Sequence, residues 1–208
     1  MQALGARAAW RATPRARRGL RRSHAAGVLA LVALAGALML GRGAWLEAKA
    51  HVGQWLLERA FERTRATGTV QKPWPWADTH PLARIVAPEA RADVLVLAGA
   101  SGRTLAWGPG HLDDSAPLGT AGNAIVSAHR DTHFRFLRNL GVGDELLLEL
   151  PDGARQHYRV RERYVTDVAH LNLPRHTRVP TLTLVTCYPF DTLLPGGSLR
   201  LVVVAQPR

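Results

Sequence analysis

The sequence predicts an all-β domain, a closed barrel or a sandwich, that follows an apolar helix near the N-terminus. From residue 81 onward, short runs rich in Val, Leu and Thr alternate with turns that contain Gly or Pro. No long helical pattern separates these runs, which excludes a doubly wound α/β fold. A chain of 208 residues has room for one such domain and a short additional segment.

Positive charge is concentrated at the N-terminus. The net charge is +11, but seven arginines lie within residues 1–24, and the first acidic residue is Glu47. Residues 25–208 hold 20 basic and 16 acidic residues, which is a mild excess. This distribution disfavours a nucleic-acid-binding domain, so we expect no nucleic acid among the partners.

An uncharged run, AAGVLALVALAGALMLG, occupies residues 25–41. As a helix it would reach about 25 Å, near the lower limit for crossing a membrane. The residues after it extend the segment to 46, and the end of the run lacks the small-x-small pattern of a cleaved signal peptide. We therefore expect an uncleaved single-pass anchor over residues 25–46. The positive-inside rule places the basic tail, 1–24, in the cytoplasm and residues 42–208 outside it.

Residues 44–67 have apolar residues mostly at spacings of three, four and seven, which predicts a helix that Gly68 ends. The following QKPWPWADTHP contains three prolines that forbid regular structure. We expect it to be a linker, or a strap packed on the domain by Trp74 and Trp76. The predicted organisation is a tail at 1–24, an anchor at 25–46, a helix and strap at 47–80 and a barrel at 81–208.

Seven β-like runs are recognised by composition and by the turns between them. They lie at residues 82–87, 93–97, 124–128, 145–150, 157–168, 181–187 and 199–205.

The one cysteine of the chain, Cys187, ends the run TLTLVTC. A single cysteine excludes an intrachain disulfide and a multi-cysteine metal site, and we expect no cofactor. Such a cysteine is ordinarily a small buried apolar residue. Position alone favours that interpretation, but a strand end is also where a scaffold exposes reactive groups, so a nucleophilic role stays open beside it.

A thiolate nucleophile needs an acid/base group and a donor for the developing oxyanion. The candidate acid/base is His129, which directly follows the run 124–128. The candidate donor is Arg200 in GGSLRLVVVA, for which the alternative interpretation is a surface arginine at the rim. A metal site formed by His129 and His133, with Asp131, is a rival. The strand-like residues before His129 and the missing Glu of a zinc protease motif argue against that site.

These residues resemble the pattern of sortases, the membrane-anchored cysteine transpeptidases. Residues 183–187 match the family's TLxTC motif, His129 matches its strand-end histidine, and Arg200, thirteen residues after Cys187, matches the arginine on its final strand. The resemblance covers about residues 50–208. The phrases PWPWADT, WGPGHLDD, HRDTHF and TCYPFD look like the subfamily found in Gram-negative bacteria.

The resemblance implies an eight-stranded β-barrel in which Cys187 is the nucleophile, His129 the acid/base and Arg200 the oxyanion or substrate clamp. Thr186 is expected to help bind the substrate. The implied reaction is cleavage of an LPxTG-like sorting signal near the C-terminus of an exported protein, through a thioacyl-enzyme, with transfer to an amine acceptor. The implied location is the inner membrane with a periplasmic catalytic domain. The alternative is a membrane-anchored β-domain that binds peptide or cell-wall material without catalysis.

Overall fold

The computed structural model describes residues 16–192 and 196–208. The first fifteen residues of the predicted cytoplasmic tail lie outside the described residues. The chain divides into two compact units, Met1–Lys49 and Ala50–Arg208.

A single helix, α1, runs over Ala16–Thr67. Its segment Ala26–Thr67 holds a window that is long and apolar enough to cross a membrane, and no part of that window is buried. Within the described chain this is the one helix that meets those two conditions. The chain therefore has one N-terminal apolar helix with the properties of a membrane anchor.

In the second unit, the last turns of α1 pack on the barrel. Leu57 and Phe61 are buried with Leu95 and Leu97, and Trp107 packs against this cluster. Trp107 also comes so close to Gly53 that a Cβ at this position would lie 2.1 Å from Cζ3 of the ring. Only glycine permits this approach. The helix ends directly before Gly68, where the sequence predicts the end.

The prolyl segment after α1 is held by one of its two tryptophans. The rings of Trp74 and Trp107 meet edge to face with centroids 5.1 Å apart. Trp76, by contrast, is 83% exposed. The expectation that Trp76 packs on the domain is therefore wrong. The strap residue that contacts the Trp107 ring is Trp74.

Eight strands form a closed barrel among the described residues. They are β1 Pro81–Ala87, β2 Ala92–Ala98, β3 Gly110–His111, β4 Asn123–Ser127, β5 Glu145–Glu149, β6 Arg155–Asp167, β7 Thr181–Cys187 and β8 Leu199–Pro207. A short helix, α2, spans Gly102–Leu105, and 3-10 turns span Arg135–Arg138 and Val168–His170. The predicted all-β class and the eight-stranded barrel are confirmed.

The order around the barrel is β1-β2-β3-β4-β7-β8-β6-β5, and pairing of β1 with β5 closes it. The β2–β3 and β4–β7 pairs are parallel, and the other pairs are antiparallel. Strand β3 was not predicted, because it is two residues long and begins within a Gly-Pro-Gly turn. It nevertheless completes the barrel between β2 and β4.

The barrel interior is the main core. On β1 the side chains alternate between buried and half-buried, as expected for a strand with one face inward. The largest fully buried side chains include Tyr158, Phe134 and Ile85. Complete burial of one such apolar side chain contributes about 1.5–3 kcal/mol.

Strand β7 departs from this alternation, since six of its seven residues are buried. Its outward-facing Val185 packs with Ile125 and Val202, and Leu171 and Leu173 from the segment after β6 cover them. A strand covered on both faces needs no polar side, which explains the near-continuous run of Leu, Val and Thr before Cys187.

Candidate active site

Cys187 is the last residue of β7, the strand between β4 and β8, and it is half-buried. The interior of the strand is fixed by its neighbours, while Cys187 lies where the strand reaches the rim of the barrel. A rigid strand therefore carries the thiol to an accessible position.

Arg200 lies directly opposite Cys187 in the antiparallel β7–β8 ladder. Residues opposite each other in such a ladder point to the same face, with Cβ atoms about 4.5–5.5 Å apart. The Arg200 Nη1 atom donates hydrogen bonds to the carbonyl oxygens of Gly197 at 2.8 Å and Leu199 at 2.9 Å. The guanidinium is thus held at the same rim as the thiol.

His129 reaches the same rim from the other side of β7. Strands β4 and β7 are parallel, with Ser127 level with Val185. The amide of Ala128 donates to the carbonyl of Val185 at 3.3 Å, so the two chains remain side by side beyond the last strand residue. His129, which is exposed, lies two residues after Ser127, and Cys187 lies two residues after Val185. The structure therefore brings all three predicted catalytic residues to one edge of the barrel.

Thr186, predicted to bind substrate, is buried with 2% of its surface exposed. Its hydroxyl donates to the carbonyl of Ala128 at 2.7 Å. The bond ties the residue before Cys187 to the residue before His129. What the structure describes for this hydroxyl is a positioning contact, and contact with the substrate stays a prediction.

Asp167, at the end of β6, lies close to Arg200 and was missed by the sequence analysis. It is level with Leu199 in the β6–β8 ladder and accepts a hydrogen bond from the Ser198 hydroxyl. That bond, the backbone amide of Ala169 and the nearby charges of His170 and Arg200 lower the pKa of Asp167. Its side-chain partner Ser198 lies 31 positions later in the chain, so no local pattern in the sequence marks this contact.

Two further arginines hold the segment that follows Cys187. Arg138 forms an ion pair with Asp191 and lies over the ring of Phe190, with its Cζ 5.5 Å from the ring centroid. Arg130 donates from Nη2 to the carbonyl of Thr192 at 3.5 Å. These contacts join the chain after His129 to the chain after Cys187. The HRDTHF phrase was noticed in the sequence, but its contacts depend on residues about sixty positions away.

His133 lies one turn beyond His129, in a segment closed by a hydrogen bond from the Phe134 amide to the His129 carbonyl at 3.0 Å. Burial and the charge of His129 lower the pKa of His133, against a backbone hydrogen bond with Ala106. Residues 130–134 form turns, and no helix holds His129 and His133 together. Across residues 16–192 and 196–208, no group of three or more His, Cys, Asp or Glu residues is arranged to hold a metal ion.

Comparison with known proteins agrees with this geometry. The family model of the sortase domain matches residues 85–208. Sortase D of Bacillus subtilis (strain 168) is 33% identical over 106 residues, which are 50% of this chain and 52% of that protein. The chain thus spans about half the length of this curated relative.

Two solved structures are similar to the fold. Sortase A from Corynebacterium diphtheriae aligns with a TM-score of 0.57 and 26% identity, over 64% of this chain and 63% of that chain. A Sortase D5 transpeptidase from Clostridium perfringens aligns with a TM-score of 0.60 and 22% identity, over 76% of this chain and 99% of that chain. Since the family model matches more than half of the residues, the chain belongs to the sortase family.

Proposed function

We propose that this protein is a membrane-anchored cysteine transpeptidase that cleaves an LPxTG-like C-terminal sorting signal and transfers the acyl group to an amine. One observation carries the proposal. The β7–β8 ladder pairs Cys187 with Arg200, and the parallel β4–β7 ladder leads His129 to the same rim. Membership of a family of cysteine transpeptidases supports the same reaction.

In the first half-reaction, the Cys187 thiolate attacks a peptide carbonyl carbon. The peptide C–N bond breaks, a thioester forms, and protonated His129 gives its proton to the leaving amine. Arg200 donates hydrogen bonds to the carbonyl oxygen while it is negative. Both contacts described for Arg200 use Nη1, so we assign the donors on Nη2 and Nε to this oxyanion.

In the second half-reaction, an acceptor amine attacks the thioester carbon. A new C–N bond forms, the C–S bond breaks and the thiolate leaves. His129 takes the proton that the amine loses, which restores the protonated histidine and the thiolate. If water takes the place of the amine, the same steps hydrolyse the thioester.

We propose further that α1 anchors the protein in the inner membrane as a single pass, with the catalytic barrel in the periplasm. The proposal is supported by the apolar exposed segment of α1 and by the seven arginines that precede it. The Gram-negative subfamily is part of this proposal and is supported by the four quoted phrases alone.

The direct test is incubation of the full-length protein in detergent with a panel of LPxTG-like peptides and an amine, followed by mass spectrometry. We expect a cleaved peptide joined to the amine, and a mass adduct on Cys187 when the amine is omitted. Cys187→Ala is the control and should give neither product while remaining folded. If no peptide is cleaved and a thiol reagent fails to modify Cys187 in the folded protein, the non-catalytic β-domain is the better description.

A further inference from the structure

A cavity of about 460 Å³ opens at the rim, between the start of β2 and the segment that follows His129. Its lining includes Arg91 and Asp93 on one side and His133, Arg135 and Phe136 on the other. The cavity is wide open to solvent and its lining is more polar than apolar, which suits a small charged ligand better than an apolar one. The reaction steps described above use none of these residues.

Strand pairing places the cavity at the same end of the barrel as Cys187. Strand β2 runs antiparallel to β4, because β2 is parallel to β3 and β3 is antiparallel to β4. The beginning of β2 is therefore at the end where β4 leads to His129. In the order β2-β3-β4-β7, the strand that leads to His129 lies between β2 and the strand that ends in Cys187.

The charge of the cavity is set by two guanidinium groups and one carboxylate. Asp93 accepts a hydrogen bond from Arg84 Nη1 at 2.8 Å, and Arg84 also pairs with Glu58 and Glu149. Two guanidinium groups against one carboxylate still leave the lining with a net positive charge. Arg91 and Arg135 remain to attract an anion. A guanidinium offers two parallel donors to a carboxylate.

Arg91 also has an uncommon backbone conformation. Its φ is 50°, the one positive φ of a non-glycine residue in the part of the chain that the structure describes. Its amide closes the β1–β2 turn on the Pro88 carbonyl at 3.0 Å. A glycine would adopt this conformation at lower cost, so an arginine at this position carries local strain.

We propose that this cavity binds the acceptor substrate, an amino acid or short peptide whose amine reacts and whose carboxylate contacts Arg91 and Arg135. The inference rests on the proposed transpeptidase function. The acyl group on Cys187 occupies one side of His129, and the acceptor must bring its amine within about 3 Å of the same imidazole to lose its proton. The cavity lies on the other side of that histidine. The acceptor nitrogen bonds to the acyl carbon, its proton passes to His129, and the Cys187 thiolate leaves.

The kinetic test compares two acceptors that differ in one charge, glycylglycine and glycylglycinamide. Full-length protein in detergent is supplied with a peptide that it cleaves, and the ligated product is measured against acceptor concentration. We expect a KM about threefold to tenfold lower for glycylglycine. Arg91→Gly and Arg135→Gln should raise the KM for glycylglycine towards that of the amide. Arg163→Gln, an exposed cation on β6 outside the cavity, should leave both KM values unchanged.

Arg91→Gly separates binding from folding, because glycine takes a positive φ without steric cost. The variant should therefore retain the β1–β2 turn and the wild-type circular dichroism spectrum. Equal KM values for the two acceptors in the wild type, or a glycylglycine KM unaffected by both arginine variants, would overturn the acceptor site.

A binding measurement decides the question without catalysis. Full-length Cys187→Ala protein with ¹³C-labelled histidine is titrated with each dipeptide, and the His133 signal is assigned with His133→Gln. We expect glycylglycine to shift the His133 resonance at lower concentration than the amide, and Arg91→Gly to abolish the difference. Identical titrations, or no shift, contradict the acceptor site. Absence of peptide cleavage by the wild type contradicts the proposed function instead.

Discussion

At the scale of single residues, substitutions of Arg200 test whether it stabilises the oxyanion or only binds the substrate. Arg200→Lys keeps the charge but replaces a planar fork of donors by one flexible ammonium. If Arg200 holds the oxyanion, kcat should fall on the order of a hundredfold. If it only clamps the substrate in the ground state, KM should rise while kcat changes little. Steady-state transpeptidation by the Lys and Ala variants measures both constants.

Arg163→Lys, on the exposed face of β6, is the matched control for a change of cation on the barrel surface. Circular dichroism should show that all variants are folded. Near-normal kcat and KM in both Arg200 variants would remove Arg200 from the site and leave Cys187 and His129.

Thr186 and Thr183 form a matched pair on one strand. The Thr186 hydroxyl donates to the Ala128 carbonyl, and the Thr183 hydroxyl donates to Asn123 Oδ1, both at 2.7 Å. Valine at either position removes one buried hydrogen bond and should lower the free energy of unfolding by about 1–3 kcal/mol. Only Thr186→Val loosens the residue before His129, so we expect kcat to fall about tenfold in that variant alone. Equal kcat values in the two variants would show that the Ala128 contact has no role in positioning.

His133 should make stability sensitive to acid. Its pKa is lowered by burial and by the charge of His129, so the folded domain favours the neutral imidazole. The unfolded chain takes up this proton near pH 6.5. The free energy of unfolding should therefore fall as the pH drops below about 6.5, and His133→Gln should flatten that slope. Chemical unfolding at several pH values from 8 to 5 measures this slope. At pH 8 the imidazole is neutral in both states, so a difference between the variants there reports packing alone. An unchanged slope would contradict this source of pH dependence.

At the scale of elements, the packing of α1 on the barrel depends on Gly53. Alanine there would place its Cβ 2.1 Å from the Trp107 ring, which is far inside contact distance. Overpacking of this kind typically costs about 1–3 kcal/mol. Gly53→Ala should therefore lower the thermal midpoint of the barrel and shift the tryptophan emission, although alanine favours the helix.

Gly43→Ala is the control on the same helix, because a Cβ at that position has nothing within 4 Å. It should leave the midpoint unchanged or raise it. A midpoint for Gly53→Ala at or above the wild type would contradict the described contact between Trp107 and the helix.

The strands show which elements local patterns can predict. Strand β7 coincides with the predicted run at residues 181–187. Its continuous Thr, Leu and Val residues and the proline that follows are both visible in the sequence itself. Strand β3 carries no such pattern, since two residues in a glycine–proline turn become a strand only by pairing with β2 and β4. Trp76 shows the opposite failure, where an aromatic side chain suggests burial and no partner surface meets it.

At the scale of the whole molecule, the orientation in the membrane is testable with reporter fusions. An enzyme that is active only in the cytoplasm should give little activity when fused after Arg208, because the basic tail is expected to stay inside. The same reporter fused after His24 with the rest of the chain removed is the positive control. Strong activity from the Arg208 fusion would reverse the proposed topology.

A chain lacking residues 1–41 should be soluble, since the barrel buries its own core.

The sequence by itself determined the all-β class, the apolar helical segment near the N-terminus and the run of residues that ends in Cys187. These features depend on periodicity and composition over neighbouring residues, which a single chain displays directly. It also identified Cys187, His129 and Arg200 as candidates, through residue types at strand ends and through the resemblance to sortases.

Only the tertiary structure decided how those residues meet. The pairing of Cys187 with Arg200 and the bond from Thr186 to Ala128 depend on ladder register, and the latter joins positions 58 residues apart. Asp167 beside Ser198, Arg138 beside Asp191 and the cavity beyond His129 likewise arise from contacts between distant segments. Such contacts are selected by closure of the barrel as a whole, and no local pattern records which strands will become neighbours.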